Sequence, residues 1–263
     1  SPLCDYILFD GAWAGYENFI PLLKQSAVLT LPLTENNPGL LVTQSVHKQL
    51  AGFSMTSQLH KKDSHIKGQD RYLPDDLLQN TYLMHISTSP YYPLLAGLEM
   101  NAHIHHAKGN KLWNNAFRLA TTYKKKCLQT LHILRPFLPP TVRGKPWESC
   151  DTETIMNDPA FFAIDTAETW HGFSRILPQG YMTDPCKILL TTGSMKQEGP
   201  SIPAPLIAAC LEKFGITPEK SDFYSLLFLV EPGDTPKKWD ILLRLLQTIE
   251  EAYDKNLSLD TLD

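Results

Sequence analysis

Leu40-Leu41-Val42-Thr43-Gln44-Ser45-Val46-His47-Lys48 is the stretch on which the fold turns. Four apolar or β-branched residues run straight into hydroxyl, imidazole and amine groups. A second run of the same build, Tyr6-Ile7-Leu8-Phe9, ends on Asp10. Short apolar runs bounded by polar turn residues fit strands buried in a parallel sheet. Residues 82–86 form a third candidate, followed by Ser87-Thr88-Ser89. Residues 51–60 predict a short helix. Residues 93–106 predict another, opened by Ser89-Pro90 and carrying Leu94, Leu95, Leu98 and Ala102 on one face. This alternation implies α/β architecture, a mostly parallel sheet covered by helices.

Open α/β sheets bind ligands at the carboxyl ends of their strands. Asp10, Lys48 and the Ser87-Thr88 turn each follow a predicted strand, so one edge is expected to collect them. A lysine and a carboxylate so placed are the pair that pyridoxal phosphate chemistry needs. The amine attaches to the aldehyde, and the carboxylate keeps the pyridine nitrogen protonated. Ala12 is small enough to pack flat on the ring, and Ser45 and His47 stand where they can donate to the phosphate. Taken singly, a lysine after a strand reads as a solvated surface residue, and an aspartate there as a turn or helix cap. The combination is more specific than its parts.

The rest of the chain alternates again after a long helix predicted over 112–134, which Arg135-Pro136 and the prolines at 139 and 140 bring to an end. Strands are expected over 161–165, 186–191 and 225–230. Helices are expected over 204–214, closed by Gly215, and over 238–253. The lobe boundary is placed near residue 107, giving a cofactor-binding part over 1–106 and a smaller α/β part over 107–263.

The 263 residues suit one or two domains with a core of their own, and 43% hydrophobic with 20% charged residues is ordinary for a globular chain. A formal net charge of -4 argues against a general nucleic-acid role. No apolar stretch approaches the ~20 residues that span a bilayer. The five cysteines are scattered without a CxxC pair, which predicts reduced thiols in a cytoplasmic protein and no metal site. His103, His105 and His106 read as helix-end residues, and Lys124-Lys125-Lys126 as the solvated face of the long helix. Asn256–Asp263 trails off as a polar tail, and both ends are expected to be cuts through a longer polypeptide.

Several segments resemble the bacterial ornithine/lysine/arginine decarboxylases of pyridoxal phosphate fold type I. Phe9-Asp10-Gly11-Ala12-Trp13-Ala14-Gly15 is similar to their segment at the cofactor nitrogen, and Thr43-Gln44-Ser45-Val46-His47-Lys48 to their lysine motif. His85-Ile86-Ser87-Thr88-Ser89-Pro90, Trp170-His171-Gly172-Phe173, Asp184-Pro185-Cys186-Lys187 and Gly215-Ile216-Thr217-Pro218 continue the likeness. Gly15-Tyr16-Glu17, Gln58–Gln69 and Arg135–Pro140 resemble the ornithine branch.

The resemblance implies the latter half of a fold type I large domain followed by a smaller α/β domain. It implies Lys48 as the cofactor-bearing lysine, Asp10 at the pyridine nitrogen, Ala12 on the ring, and Ser45 and His47 at the phosphate. Ser87 and Thr88 would reach a cofactor across a dimer interface, within a homodimer or larger ring. Decarboxylation of L-ornithine to putrescine, a step of polyamine biosynthesis, is the implied reaction, with Lys48 or His47 returning the proton. Trp170, His171 and Glu198 are the expected substrate-side residues, Glu198 as partner of the distal ammonium. The loop 192–201 is shorter than the family pattern, and Pro200-Ser201 stands where that pattern has Phe-Gly. Lysine or arginine as substrate, and a non-catalytic assembly role, therefore stay open.

Overall fold

The computed structural model of the protein describes residues 3–50, 52–173, 180–193 and 199–258. The chain divides into two compact units, Ser1–Trp113 and Asn114–Asp263. In the first, β1 (Tyr6–Asp10), β2 (Gly39–Gln44) and β3 (Gln58–Lys62) make one sheet in that order. β1 and β2 run parallel, with Tyr6 opposite Gly39 and Asp10 opposite Thr43. These are the two apolar runs, and they lie where the sequence predicts them. β3 joins antiparallel, Leu40 opposite Lys62 and Gln44 opposite Gln58.

The helix expected over 51–60 does not form. Met55 sits at φ +72°, where a right-handed helix cannot continue. The Thr56 amide and hydroxyl both donate to the Phe53 carbonyl, at 3.1 and 2.7 Å, and turn the chain into β3. The β2–β3 pair is then tied by side chains: His60 Nε2 lies 2.9 Å from Gln44 Oε1. Lys62 Nζ donates to the Leu29 and Leu31 carbonyls, at 2.7 Å each.

Residues 82–86 are not a strand either. Their start belongs to α1 (Asp75–Leu83), which follows Pro74 and carries Asp75 and Asp76 in its first turn. Negative charge there faces the unpaired N–H groups of the helix start. The Ser87-Thr88 turn therefore follows a helix.

One helix, α2 (Tyr92–Thr130, 39 residues), replaces the two that the sequence suggests on either side of Lys108-Gly109-Asn110. It begins in the first unit and ends in the second. Gly109 marks a close approach rather than a break. A Cβ there would fall 2.6 Å from the Phe19 ring, and one at Gly97 would fall 2.7 Å from the Phe53 ring. Packing of those rings outweighs the ~1 kcal/mol helix penalty of each glycine.

Tyr16 stacks on Trp113 with centroids 4.2 Å apart at the centre of the first unit. The Tyr6 hydroxyl donates to Asp63 Oδ2 (2.6 Å) and accepts from Leu73 N–H (2.8 Å). Burial, together with the Asp63 carboxylate, pushes the Tyr6 phenol up to about 12.

The second unit holds β4 (Arg135–Pro136), a hairpin of β5 (Thr141–Val142) and β6 (Lys145–Pro146), α3 (Thr152–Asn157) and β7 (Lys187–Thr191). α4 (Ala204–Lys213), β8 (Lys220–Ser221), β9 (Ser225–Leu229) and α5 (Pro236–Asp254) follow. Its main sheet has the order β4-β7-β9-β8, antiparallel at every pairing. The strand expected over 161–165 is reduced to a single bridge, Ala163 to Met182. Asp158 accepts from Ala160 N–H at 3.0 Å and, with Pro159, bends the chain into a short 3-10 turn instead. Glu250 on α5 is buried and accepts three backbone N–H groups, from His132 (3.0 Å), Ile133 (2.9 Å) and Leu134 (2.6 Å). That carboxylate fixes the exit of α2 into β4.

The lysine run 124–126 corrects the sequence reading, because it is not a solvated face. Lys124 is enclosed, donating to the Pro185 carbonyl at 2.7 Å with its Nζ 5.4 Å from the Phe162 ring centre. Lys125 reaches the Cys150 carbonyl at 2.6 Å, and Lys126 reaches Asp240 at 2.6 Å. A helix covered on several faces leaves consecutive residues no common solvent side.

Desolvation lowers the Lys124 ammonium from 10.5 to about 8. Between those values the unfolded chain binds more protons at this position than the folded one, so stability rises with pH. The contribution is complete above about 10.5 and is lost as pH falls through about 8. Lys124→Met is expected to flatten the urea-midpoint rise between pH 8 and 10, a difference on the order of 3 kcal/mol at full span. Parallel slopes for both proteins would refute this.

Candidate functional site

The carboxyl ends of β1 and β2 form one edge because the two strands are parallel and in register. Gly11 N–H donates to the Thr43 carbonyl at 2.8 Å and carries the pairing one residue past Asp10. Asp10 Oδ1 accepts the Ala12 N–H at 3.0 Å, an aspartate turn that sets the Gly11–Gly15 loop. The carboxylate is exposed, and no bond among the described residues uses its Oδ2. Glu17 Oε2 accepts the Gly15 N–H at 2.7 Å, and Gly15 takes φ +112°, closing the loop.

Beyond β2, Lys48 N–H donates to the Ser45 carbonyl at 3.1 Å, a tight turn that keeps Ser45, His47 and Lys48 together. Lys48 is half-buried. Its Nζ lies 5.1 Å from the centre of the Trp13 ring, so the ammonium leans on the loop that Asp10 begins. Among the described residues it has no carboxylate partner. His47 gives both its backbone N–H (3.2 Å) and its Nδ1 (2.8 Å) to the Thr56 carbonyl. Gln49 beside them is buried, with both amide atoms unpartnered among the described residues.

Asp10, Ala12, Ser45, His47 and Lys48 thus share one edge. Ser87 and Thr88 do not join it. They lie in the exposed turn between α1 and α2, where Ser87 Oγ accepts the Ser89 N–H at 3.2 Å. Trp13 and Thr56 are part of the arrangement and carried no signal as ligands in the sequence. Trp13 lay in a quoted segment without a role, and Thr56 acts through its backbone.

In the second unit, Trp170 and Phe137, 5.0 Å apart, wall a cavity of about 580 Å³ that Arg135 and His132 also line. No described lining residue carries a carboxylate. His132 faces Glu250 (2.9 Å) and Asp254 (3.0 Å). His171 is buried, and the backbone holds both its ring nitrogens. Nδ1 accepts the Phe173 N–H at 3.0 Å, so Nε2 carries the proton given to the Asp165 carbonyl at 2.9 Å. Glu198 lies outside the described residues. Among the described residues no cluster of three metal-ligating side chains occurs, and no helix is long and apolar enough to cross a membrane.

Residues 1–238 match the family described as Orn/Lys/Arg decarboxylase, major domain. The chain belongs to this family. Its members use pyridoxal phosphate. Ornithine decarboxylase from Haemophilus influenzae is 46% identical over 99% of this chain and 36% of its own length. The constitutive ornithine decarboxylase of Escherichia coli is 46% identical over 96% and 36%. A lysine decarboxylase from Hafnia alvei is 32% identical over 95% and 32%. The structure of the E. coli constitutive lysine decarboxylase superposes with a TM-score of 0.79 at 26% identity, covering 98% of this chain and 35% of that one. The chain spans about a third of the length of the curated relatives it matches. The family carries the fold type I, α/β assignment with it.

The edge residues fit the family's cofactor chemically: an amine and a carboxylate oxygen with no polar partner among the described residues, a hydroxyl, an imidazole and a small side chain. His171→Ala is expected to lower the second unit's stability by about 2–4 kcal/mol, through the cavity and the stranded backbone groups. The urea midpoint of that unit reads it; an unchanged midpoint would contradict the loop-holding role.

Proposed function

We propose that this chain supplies the lysine-bearing part of a decarboxylase of basic amino acids, acting on L-ornithine to give putrescine and carbon dioxide. One observation carries the reading. Lys48 rests against the loop that opens with Asp10, on a shared edge of parallel strands. The 46% identity to ornithine decarboxylases, against 32% for a lysine decarboxylase, favours ornithine over lysine.

When bound, pyridoxal phosphate supplies an aldehyde for amines and a ring that takes up negative charge from the substrate α-carbon. Asp10 would hold the pyridine N–H with the oxygen left free by Ala12, and so would keep that ring cationic. Ala12 leaves room for the ring face. Ser45 and His47 would hold the phosphate. Lys48 Nζ would be the amine that holds the cofactor and, once free of it, the group placed to return a proton to the substrate α-carbon.

Trp170, His171 and Glu198 form the substrate-side set, with His171 as the residue that positions Trp170. Ser87 and Thr88, exposed in this chain, contribute to a neighbouring copy's cofactor in a homodimer or ring. Ile7 and Leu8 are exposed on the edge strand β1, which suits cover by further sheet in the assembled enzyme. The division into a cofactor-binding part and a smaller domain near residue 107, and work in the cytoplasm, belong to the same reading.

Two experiments test this. Borohydride reduction after adding pyridoxal phosphate to this chain is expected to fix the cofactor on Lys48 by peptide mapping, and Lys48→Arg is expected to remove the label. A chimera tests the substrate: this segment replaces the matching third of the H. influenzae enzyme. It is expected to release carbon dioxide from ornithine in preference to lysine and arginine, and Asp10→Asn to slow it by about a hundredfold or more. Label elsewhere than Lys48 overturns the site, preference for lysine or arginine overturns the substrate, and no turnover in a folded chimera favours the assembly role.

A further inference from the structure

The 52–56 turn contains an arrangement that the decarboxylase reading does not require. The Thr56 carbonyl receives two donors from one residue, the backbone N–H and the Nδ1 of His47. A carbonyl oxygen can only accept, so Nδ1 must carry the proton. The turn that presents this carbonyl is built for it. Met55 occupies the left-handed region at φ +72°, and Thr56 is buried with its hydroxyl returned to Phe53 O at 2.7 Å. Gly52 donates to the Val46 carbonyl at 2.8 Å, where a Cβ would fall 2.8 Å from both Thr56 Oγ1 and Val46 Cγ1. A left-handed residue other than glycine persists only where its surroundings hold it.

We infer that this turn is a positioning element that commits the His47 Nδ1–H to Thr56, so that His47 can donate to an anion only through Nε2 and only as imidazolium. The neutral ring presents a bare Nε2, which repels the oxygen of a phosphate or sulfate. This rests on the reading of His47 as a phosphate contact and adds its control by protonation. It also separates the two candidate proton carriers. A ring whose Nε2 proton is held by an anion is not available to the α-carbon, which leaves that task to Lys48.

Titratable groups on the elements around this turn are Asp10 at the end of β1, Lys48 beside it, His60, Lys61 and Lys62 on β3, and Glu99, His103 and His105 on α2. His60 is taken by Gln44, and Lys61 by Asp63 and Asp75. Lys62 is taken by two carbonyls, and Glu99 and His103 face each other at 3.4 Å. His105 Nδ1 is held by the Asn101 carbonyl at 3.0 Å.

The test uses histidine-labelled protein, long-range nitrogen–carbon-proton correlation NMR and sulfate, whose charge does not change over the range. His47 is assigned from the signal lost in His47→Gln. At pH 8.5 His47 is expected as the Nδ1–H tautomer, untouched by sulfate. At pH 5.5 sulfate is expected to shift it, with an affinity at least tenfold higher. His47→Gln, which offers an N–H at the Nε2 place at any pH, is expected to bind sulfate weakly and equally at both values.

An Nε2–H tautomer at pH 8.5, or equal sulfate affinity of the unaltered protein at both pH values, would overturn the inference. So would a His47 signal that sulfate never moves. In each case a borohydride label on Lys48 would show that the wider decarboxylase reading survives.

Discussion

Asp10 and Lys48 belong to segments separated by nearly forty residues, and what makes them neighbours is the parallel pairing of β1 and β2. Parallel strands put their carboxyl ends on the same side, and the Asp10–Thr43 register puts them level. Both side chains then project from turns at a common edge. An antiparallel pair would send one to each end of the sheet, whatever the local sequences. The bond from Gly11 N–H to Thr43 O holds the register one step beyond the strands, at the point where the chemistry begins.

From that edge outward, several polar groups are set by nearby backbone atoms. Ala12 N–H takes one oxygen of Asp10 and leaves the other free. Ser45 O takes Lys48 N–H, and Thr56 O takes His47 twice. Such bonds orient side chains at little entropic cost because the backbone is already fixed by the sheet. The Lys48 amine rests against the face of Trp13. Among the described residues it has no carboxylate partner, whereas Lys61, with two aspartates, is held charged by hydrogen bonds to both.

The second unit follows a different rule. Its sheet is antiparallel, and polar side chains are used as internal ties: Glu250 to three amides at the end of α2, Lys124 to the Pro185 carbonyl, His171 between two backbone groups. Burying Lys124 costs stability in its charged form, and burying Glu250 is tolerated because four hydrogen-bond donors, His132 among them, face it. The cavity beside Trp170 carries Arg135 and no described carboxylate.

The sequence by itself determined β1 and β2, the two late helices, and the polar residues Asp10 and Lys48 that follow the two strands, since apolar runs and the polar residues that end them are local signals. Family membership was legible for the same reason. Four things were decided only in the folded molecule. The fate of 51–60 turned on one left-handed residue, Met55, and no periodicity announces a positive φ in methionine. The continuity of α2 through Gly109 depended on Phe19, ninety residues away, and the burial of Lys124 on cover from a loop sixty residues on. The proton position on His47 came from a backbone carbonyl, and a carbonyl is the same at every residue. Side-chain identity is written in the sequence, but which backbone atom a side chain meets is written only in the tertiary contacts.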